Sequence, residues 1–400
     1  MSTIRVLFVD DEQNILDGFR NVFRKQRREW DIVVALGGAA GLEELARTPA
    51  DVVVSDMRMP GMDGATFLQR VKDQYPSTVR IVLSGDADRE AIIKTLPVAH
   101  QHLSKPCEAE QLIGVVNRTR SLQAYLHNPG LRTLIAGLDR LPSVPSVYLE
   151  IMNVAGRSYT TLDDITSIVE RDPALVVKIL QLVNSAYFGL KRELSSIREA
   201  VQYLGLDILK GLALSGQVFG TLQTATSANF SLEQLQHHSL HTARLARMIA
   251  NGQRGAEEAF TAAIVHDIGE IVMACGWGDE FAQARQQALA EGRPCHEIEE
   301  ETFGTNHAGV GAYLLGMWGL PLGVIEATAY HHTPRLASPE GRKLLAAVYI
   351  ADILTTNLAA GGSDLATEEQ FDMEFLNTCG ITPDLERWNA MAHTSLRVAA

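Results

Sequence analysis

The stretch formed by residues 51–64 constrains the fold of this chain more than any other. Three valines and Ser55 run directly into Asp56, and the chain then enters a loop that contains Pro60 and Gly61. A short run of β-branched residues between turn residues is typical of a strand buried on both faces, as in a parallel sheet. Asp56 would then lie at the carboxyl end of that strand, where open α/β sheets bind ligands. The alternative is that Asp56 only caps a loop.

The same unit of a strand followed by a helix recurs through the first third of the chain. Apolar runs predict five strands, at residues 4–9, 32–36, 52–55, 79–84 and around 102–103. Apolar residues at helical spacing follow each of them, at residues 15–23, 39–46, 65–71, 89–95 and 108–126. This alternation predicts an α/β domain of the flavodoxin-like type, with a doubly wound, five-stranded parallel sheet and right-handed crossovers.

The ends of these strands carry side chains of complementary chemistry, namely Asp10, Asp11, Asp56, Ser84 and Lys105. A flavodoxin-like strand order brings all of them to one cleft. Converging carboxylates repel one another, and a Mg²⁺ ion with oxygen ligands relieves that repulsion. The pattern therefore predicts phosphoryl transfer, with Asp56 as nucleophile and phosphoacceptor. Mg²⁺ is expected at Asp10, Asp11 and Asp56, and Lys105 and Ser84 are expected to contact the phosphoryl oxygens.

Residues 1–122 resemble a response-regulator receiver domain. The resemblance is carried by the acidic pair Asp10 and Asp11, the run Asp56-x-x-Met59-Pro60-Gly61-x-Asp63-Gly64, Ser84-Gly85 and Lys105-Pro106. It implies that a sensor histidine kinase phosphorylates Asp56 and that Mg²⁺ is required. It also suggests a cis peptide before Pro106, because proline lowers the cost of the cis form.

One position departs from the receiver pattern. The family often carries Phe or Tyr three residues before the lysine, as an aromatic that moves with the hydroxyl residue, whereas this chain has His102. We predict that Ser84 and His102 form the switch pair, since imidazole is planar and can fill a similar slot. The alternative is that His102 is an ordinary residue of the edge strand.

The remaining two thirds of the chain show helical patterns throughout. Residues 123–140 predict a helical linker, interrupted briefly at 128–130. No alternating strand pattern of useful length occurs between residues 140 and 400, so we expect an all-α, HD-like helical bundle. Residues 336–400 are expected to form a C-terminal helical extension of this domain, with Phe375 and Trp388 as packing residues.

Histidines are concentrated in the second part of the chain, where eight of the twelve lie between His237 and His332. An apolar helix end delivers the adjacent pair His266 and Asp267, and Asp352 lies in an apolar context that requires a partner if it is buried. Imidazoles and carboxylates from several helices predict a site for Fe, Mn or Zn that could activate water against a phosphoester. Two alternatives are hydrogen-bonded core histidines, and a fold that keeps the ligand positions without the reaction.

Residues 141–335 resemble the HD-related output domain, HDOD, a relative of the HD and HD-GYP phosphohydrolases. The resemblance is carried by residues 141–145, 170–175, 183–186, 204–205, 266–269, 304–311 and 318–321 and by the pair at 331–332. The ligands it implies are His241, His266, Asp267, His307, His331, His332 and Asp352. However, no Gly-Tyr-Pro run follows, and Glu270 stands where HD-GYP enzymes have a phosphate-binding lysine. We therefore expect a non-catalytic signalling output; the alternative is a receiver-gated phosphodiesterase, with a cyclic dinucleotide as one candidate substrate.

Charge and composition limit the partners. Up to Ala124, 16 Lys and Arg stand against 17 Asp and Glu, whereas the remaining residues carry 19 against 31. An acidic second part would repel a phosphate backbone, so we expect no DNA binding.

Four scattered cysteines indicate neither a zinc knuckle nor a disulfide framework. We found neither a leader peptide nor a membrane span, which predicts a cytoplasmic protein with a sensor kinase and a downstream signalling protein as partners. The class also allows a homodimer.

Overall fold

The structure, a computed structural model, describes residues 3–85, 98–105, 107, 109–122, 135, 154, 161–184, 190, 192–204, 230–250, 253–359 and 366–397. These residues form two compact units, one mostly N-terminal to Asp139 and one mostly from the residues that follow. Apart from Ile135, the predicted linker at 123–140 lies outside the described residues, as does the predicted helix at 89–95. The same is true of Pro106, of Gly205 and of the Pro142 and Pro145 motif.

The first unit is built on a five-stranded, fully parallel sheet with the strand order β2-β1-β3-β4-β5. Its strands are β1 (Ile4–Asp10), β2 (Trp30–Leu36), β3 (Val52–Asp56), β4 (Val79–Gly85) and β5 (Gln101–Lys105). This is the predicted flavodoxin-like order. Strand β2 pairs with one edge of β1, and β3, β4 and β5 follow on the other edge of β1. The prediction of a doubly wound α/β unit is confirmed.

Four helices of this unit are described: α1 (Gln13–Val22), α2 (Gly37–Arg47), α3 (Gly64–Gln74) and α4 (Ala109–Leu122). The start of α3 is fixed by Asp63, whose carboxylate accepts a hydrogen bond of 2.8 Å from the backbone N–H of Thr66. A Cβ on Gly64 would lie 2.2 Å from the carbonyl oxygen of Asp56. The glycine therefore allows α3 to begin directly against the end of β3.

The sheet is covered on both faces, and this burial explains the apolar run of β3. All five residues of β3 are buried. On one face Phe8 stacks on Phe23 with ring centroids 5.5 Å apart. On the other face Val53 belongs to a core cluster with Phe67. Alternate residues of a strand point to opposite faces, so a central strand covered on both sides must be apolar throughout until its functional end.

The second unit is helical over its described residues. Its helices are α5 (Leu162–Val169), α6 (Pro173–Val183), α7 (Leu232–Ile249), α8 (Gln253–Val265), α9 (Ile268–Gly276), α10 (Gly278–Glu291), α11 (Cys295–Phe303), α12 (His307–Met317), α13 (Leu322–Tyr330), α14 (Arg342–Ala359), α15 (Met373–Thr378) and α16 (Leu385–Arg397). The prediction of an all-α unit is confirmed for these residues.

The centre of this unit is formed by α7, α8 and α14, which pack against one another. The stretch Gly255–Gly276, which spans most of α8 and all of α9, has a mean hydropathy of 1.4 and is long enough to cross a membrane. However, 89% of its most apolar window is buried inside the protein, as in the core helix of a globular unit. In the C-terminal extension Phe375 and Trp388 are buried, which agrees with their predicted packing role.

Candidate functional sites

The first candidate site lies at the carboxyl edge of the parallel sheet, where β1, β3 and β5 end. The ammonium of Lys105 lies 2.8 Å from Oδ2 of Asp10 and 2.6 Å from Oδ1 of Asp56. The other oxygen of each carboxylate accepts from the backbone: Glu12 donates to Asp10 over 3.0 Å, and Arg58 donates to Asp56 over 2.8 Å. The structure thus brings the predicted nucleophile and the predicted lysine into direct contact.

The charge on Lys105 is maintained by this arrangement. Burial of the side chain alone would lower its pKa, but hydrogen bonds and attraction from Asp10 and Asp56 outweigh burial and raise the pKa above the usual value. A permanently charged ammonium between two carboxylates lowers their mutual repulsion. It also leaves a cation beside the oxygen atoms of Asp56, where an incoming phosphoryl group would bring more negative charge.

The remaining predicted residues occupy different environments near this edge. Asp11 directly follows β1 and is exposed. Ser84 lies near the end of β4 and His102 lies in β5, and both are buried. In the register of β4 and β5, His102 is paired with Val82 and Ser84 is paired with Ser104. The two predicted switch residues therefore lie on adjacent strands, two positions apart in register.

The second candidate site is a cluster of imidazoles and carboxylates in the helical unit, centred on Asp267. Oδ2 of Asp267 lies 3.2 Å from Nε2 of His266 and 3.5 Å from Nε2 of His238. Its Oδ1 lies 3.4 Å from Nε2 of both His307 and His331. The two oxygens of one carboxylate therefore face two different groups of imidazoles, which is the arrangement of a ligand shared between two cations.

Each group has a further member. On the Oδ2 side, Asp352 lies 3.1 Å from Nε2 of His238 and 3.5 Å from Nε2 of His266. On the Oδ1 side, Nε2 of His332 lies 2.9 Å from Nε2 of His307. We call these groups the Asp352 position (His238, His266, Asp267, Asp352) and the His332 position (Asp267, His307, His331, His332). Donor atoms within each of the triads His238, His266, Asp352 and His307, His331, His332 lie within 4.8 Å of one another, close enough to share an ion.

Hydrogen bonds to the other ring nitrogen fix which nitrogen faces the cluster. Nδ1 of His266 is 2.6 Å from the carbonyl oxygen of Ala263, and Nδ1 of His331 is 2.8 Å from that of Thr328. A carbonyl can only accept, so each Nδ1 carries the proton and each Nε2 offers its lone pair in the neutral ring. Both Nε2 atoms are buried and lack a hydrogen bond. Buried, unsatisfied imidazole nitrogens beside a carboxylate are a donor set that suits a metal ion.

Local sequence explains how five elements converge on Asp267. His266 and Asp267 occupy the break between α8 and α9, His307 begins α12, and the pair at 331–332 follows α13. A Cβ on Gly269 would lie only 1.9 Å from the carbonyl oxygen of His307. The glycine of the His-Asp-Ile-Gly motif therefore permits α9 and the start of α12 to touch, which brings His307 to Asp267.

The structure does not bring the expected ligand His241 into either position; His238, on the same helix, lies there instead. Both histidines lie on α7 one turn apart, and His241 lies near His237 instead, with ring centroids 6.4 Å apart. Spacing on a helix does not decide which of two residues three positions apart reaches a partner on another helix. Contact with Asp352 does decide it, and that contact connects residues 114 positions apart. The six other expected residues all lie in the cluster.

The charges of the cluster are strongly coupled. Burial would raise the pKa of Asp267, but the imidazoles of His266, His331 and His307 outweigh it and hold that pKa well below the usual range. Asp352 behaves in the same way because of His238 and His266. Burial and the neighbouring imidazoles, by contrast, lower the pKa of His332 well below the usual value. The two aspartates are therefore ionised, which is the state that a metal ligand requires.

A cavity of about 1020 Å³ opens onto this cluster. Its walls include Asp267, His307 and Asp352 together with Glu270 and Arg285. The guanidinium of Arg285 lies 2.7 Å from the carboxylate of Glu270, so the position expected to repel phosphate is paired with a cation from α10. The sequence reasoning did not identify Arg285 or Glu299, a fully buried residue that contacts His307, because both occur in helical stretches of ordinary polar pattern.

Comparison with known protein families divides the chain in the same way. A model of the response regulator receiver domain matches residues 6–117, and a model of the HDOD domain matches residues 141–334. An uncharacterized protein from Treponema pallidum is 27% identical over 250 residues, which cover 62% of this chain and 48% of that protein. The chain spans about half or less of the length of the first curated relatives that it matches.

Two solved structures each cover about two thirds of the chain. The MmoQ response regulator from Methylococcus capsulatus is 26% identical with a TM-score of 0.49, covering 63% of this chain and 98% of that one. A virulence factor from Campylobacter jejuni is 18% identical with a TM-score of 0.52, covering 68% of this chain and 98% of that one. The second likeness concerns the fold alone.

Proposed function

Because this chain is a response regulator that joins a receiver domain to an HDOD domain, we propose that phosphorylation of Asp56 by a sensor histidine kinase is its input. The observation that supports this proposal is the contact of Lys105 with both Asp10 and Asp56 at the carboxyl edge of the sheet. A carboxylate oxygen of Asp56 attacks the phosphorus atom of the donor, and the donor's own bond to phosphorus breaks. Lys105 balances the charge that accumulates on the phosphoryl oxygens.

Mg²⁺ fits this site because its donors are carboxylate oxygens, which this ion prefers. Asp10, Asp11 and Asp56 would hold it, and when bound it would neutralise charge on the phosphoryl group. Ser84 would donate its hydroxyl proton to a phosphoryl oxygen, and His102 would respond to the movement of Ser84. The fully buried environment of both side chains supports a coupled movement.

Incubation with acetyl phosphate and Mg²⁺ tests the input. We expect one phosphoryl group per chain, seen as a single mass increment in the intact protein, and no increment in Asp56→Asn. Asp51→Asn is the matched control because it removes the carboxylate that directly precedes the same strand, at the end opposite to Asp56. An unchanged yield in Asp56→Asn would refute the assignment of the acceptor.

For the output we propose a centre for two transition-metal ions, with Fe, Mn or Zn as candidates, at the Asp352 and His332 positions. The buried and unsatisfied Nε2 atoms of His266 and His331 support this proposal most directly. Imidazole with carboxylate suits these metals, and bound ions would polarise a ligand oxygen or activate water. Metal analysis of the purified chain is expected to give about two ions, and analysis that finds none would contradict the centre.

We propose that this output acts in signalling without catalysis. Glu270 supports this proposal, because its carboxylate lines the cavity where a phosphate would enter and its partner Arg285 is already engaged by it. Downstream, the receiver state would change how the output domain contacts a signalling protein or a second copy of the chain. We further propose no contact with DNA, on the grounds of the acidic second part of the chain. A cytoplasmic location is also part of the proposal.

Hydrolysis of a phosphodiester is the second candidate, favoured by the cavity that opens directly onto the metal positions. Incubating the metal-loaded protein with a cyclic dinucleotide separates the two candidates. Turnover in the wild type that disappears in His266→Ala supports hydrolysis. Retained metal without turnover supports the non-catalytic output.

A further inference from the structure

Glu299 is the most buried carboxylate beside the metal positions. Its exposed fraction is 0%, and it accepts two hydrogen bonds from a single residue: 2.6 Å from Nδ1 of His307 and 2.8 Å from the backbone N–H of His307. The thiol of Cys295 lies 3.3 Å from its other oxygen. A buried carboxylate is costly unless it is hydrogen-bonded, so these contacts account for its position.

The turn between α11 and α12 brings the two residues together. Gly304 ends α11 in the left-handed conformation, with φ of 70°, which side-chain-bearing residues rarely adopt. Asn306 then accepts from the backbone N–H of Gly309 over 3.1 Å at the start of α12. The carboxylate of Glu299 consequently meets the N-terminal end of α12, where the helix dipole also favours negative charge.

The support given to His307 differs in kind from that given to His266 and His331. Nδ1 of His266 and Nδ1 of His331 face neutral backbone carbonyls, whereas Nδ1 of His307 faces an ionisable carboxylate. A charged acceptor makes the stronger hydrogen bond and makes the opposite ring nitrogen a better electron donor. His307 belongs to the His332 position alone, so this support is confined to one of the two metal positions.

We propose that Glu299 is a positioning residue that orients and strengthens His307 as a ligand, so that the His332 position binds its metal ion more tightly than the Asp352 position. The inference rests on the proposed two-ion centre. It goes beyond that proposal because it assigns different affinities to the two positions and names the residue that causes the difference.

A role in folding alone is the competing explanation, since Glu299 also accepts from the backbone at the start of α12. Glu299→Gln separates the two roles. The amide oxygen can still accept from the backbone and from Nδ1 in a side chain of nearly the same shape, but the negative charge is gone. Glu300→Gln is the matched control, because Glu300 is exposed on the same helix and the change in charge is identical.

Titration of the full-length, metal-free chain with Co²⁺ tests the inference, with visible absorption and calorimetry as readouts. We expect two binding events in the wild type and in Glu300→Gln. In Glu299→Gln the tighter event should weaken by about 10–100-fold with an altered absorption band, while the weaker event is unchanged. If Glu299→Gln does not fold, Glu299→Asp is compared with Glu300→Asp. The carboxylate then lies one methylene further from Nδ1 of His307, and the tighter event should again weaken alone.

Three results would overturn the inference, and they are distinguishable. Two unchanged events in Glu299→Gln would show that the charge of Glu299 does not support either position. Equal weakening of both events would indicate a general structural role. A wild-type protein that binds no Co²⁺ would overturn the two-ion centre and this inference with it.

Discussion

Single residues in the metal cluster link ion binding to protons. Burial alone would lower the pKa of His307, but Glu299 and Asp267 outweigh burial and raise that pKa to about 9. The pKa of His266 is also raised well above the usual value, because Asp267 and Asp352 outweigh burial. At neutral pH the metal-free cluster therefore holds protons on nitrogens that a metal ion needs.

We predict that the affinity for Zn²⁺ or Co²⁺ rises with pH up to about 9. An imidazole whose folded-state pKa is raised stays protonated below that pKa, so a metal ion must displace the proton at lower pH. One displaced proton gives roughly a tenfold gain in affinity per pH unit. Competition against a chelator of known affinity at three pH values between 6.5 and 8.5 measures the slope, and a flat profile would contradict this assignment of charge.

At the carboxyl edge of the parallel sheet, Lys105→Met should separate two roles of the lysine: it stabilises the phosphoryl oxygens, and it competes with Mg²⁺ for the carboxylates. Phosphorylation by acetyl phosphate is expected to slow by about 10²–10³-fold, because the charge that stabilises the phosphoryl oxygens is lost. Affinity for Mg²⁺ should increase, because the competing ammonium no longer lies against Asp10 and Asp56. Calorimetric titration with Mg²⁺ measures its binding, and Lys25→Met, an exposed site, is the control. Weaker Mg²⁺ binding in Lys105→Met would contradict the prediction.

The placement of strands and helices decides which side chains meet at a site, and the identity of the residues alone does not. Strand β3 could be predicted from its sequence because both of its faces are buried, which leaves a continuous apolar run ending at Asp56. The choice between His238 and His241 could not be predicted in the same way, because it depends on where α14 places Asp352 relative to α7. Glu299 left no signal, since an acid on a polar helix usually faces solvent.

The contact between α9 and α12 gives a sharp prediction at this scale. Gly269→Ala should destabilise the protein by about 1–3 kcal/mol and lower its metal content, because a Cβ there would lie 1.9 Å from the carbonyl oxygen of His307. Gly278→Ala is the control, as its Cβ would meet no atom within 4 Å. Urea unfolding and metal analysis provide the readouts. Equal stability of the two variants would show that the helices do not need this close approach.

For the whole molecule, ligands from five places in the helical unit connect ion binding with folding. Removing metal with a chelator should lower the midpoint of thermal unfolding of this unit, because an ion that binds only the folded state stabilises it by about 2.7 kcal/mol at a concentration one hundred times its Kd. Asp267→Ala, which removes the carboxylate shared by the two positions, should unfold at the same temperature with and without metal. Calorimetry of both proteins, with and without chelator, tests this. A midpoint of thermal unfolding of the wild type that does not change when the chelator is added would contradict this prediction.

The predictions from sequence were most complete where the functional residues lie directly at the ends of strands or helices. The resemblances to the receiver and HDOD families are confirmed, because motif residues at strand ends and helix breaks are close in sequence to the elements that place them. Partners, phosphorylation and catalysis stay predictions. Contacts such as that of His238 with Asp352, which join residues 114 positions apart, need the three-dimensional path of the chain.

Asp352 lies within α14, beyond residue 334, where the match to the HDOD family ends. A recombination event that moved the matched segment alone to another protein would transfer every imidazole of the cluster and leave one of its two acids behind. The segment that holds both metal positions is therefore longer than the segment that the HDOD model matches. A protein that received only this segment would keep the histidines of both positions. It would lack Asp352 and could hold only the ion of the His332 position.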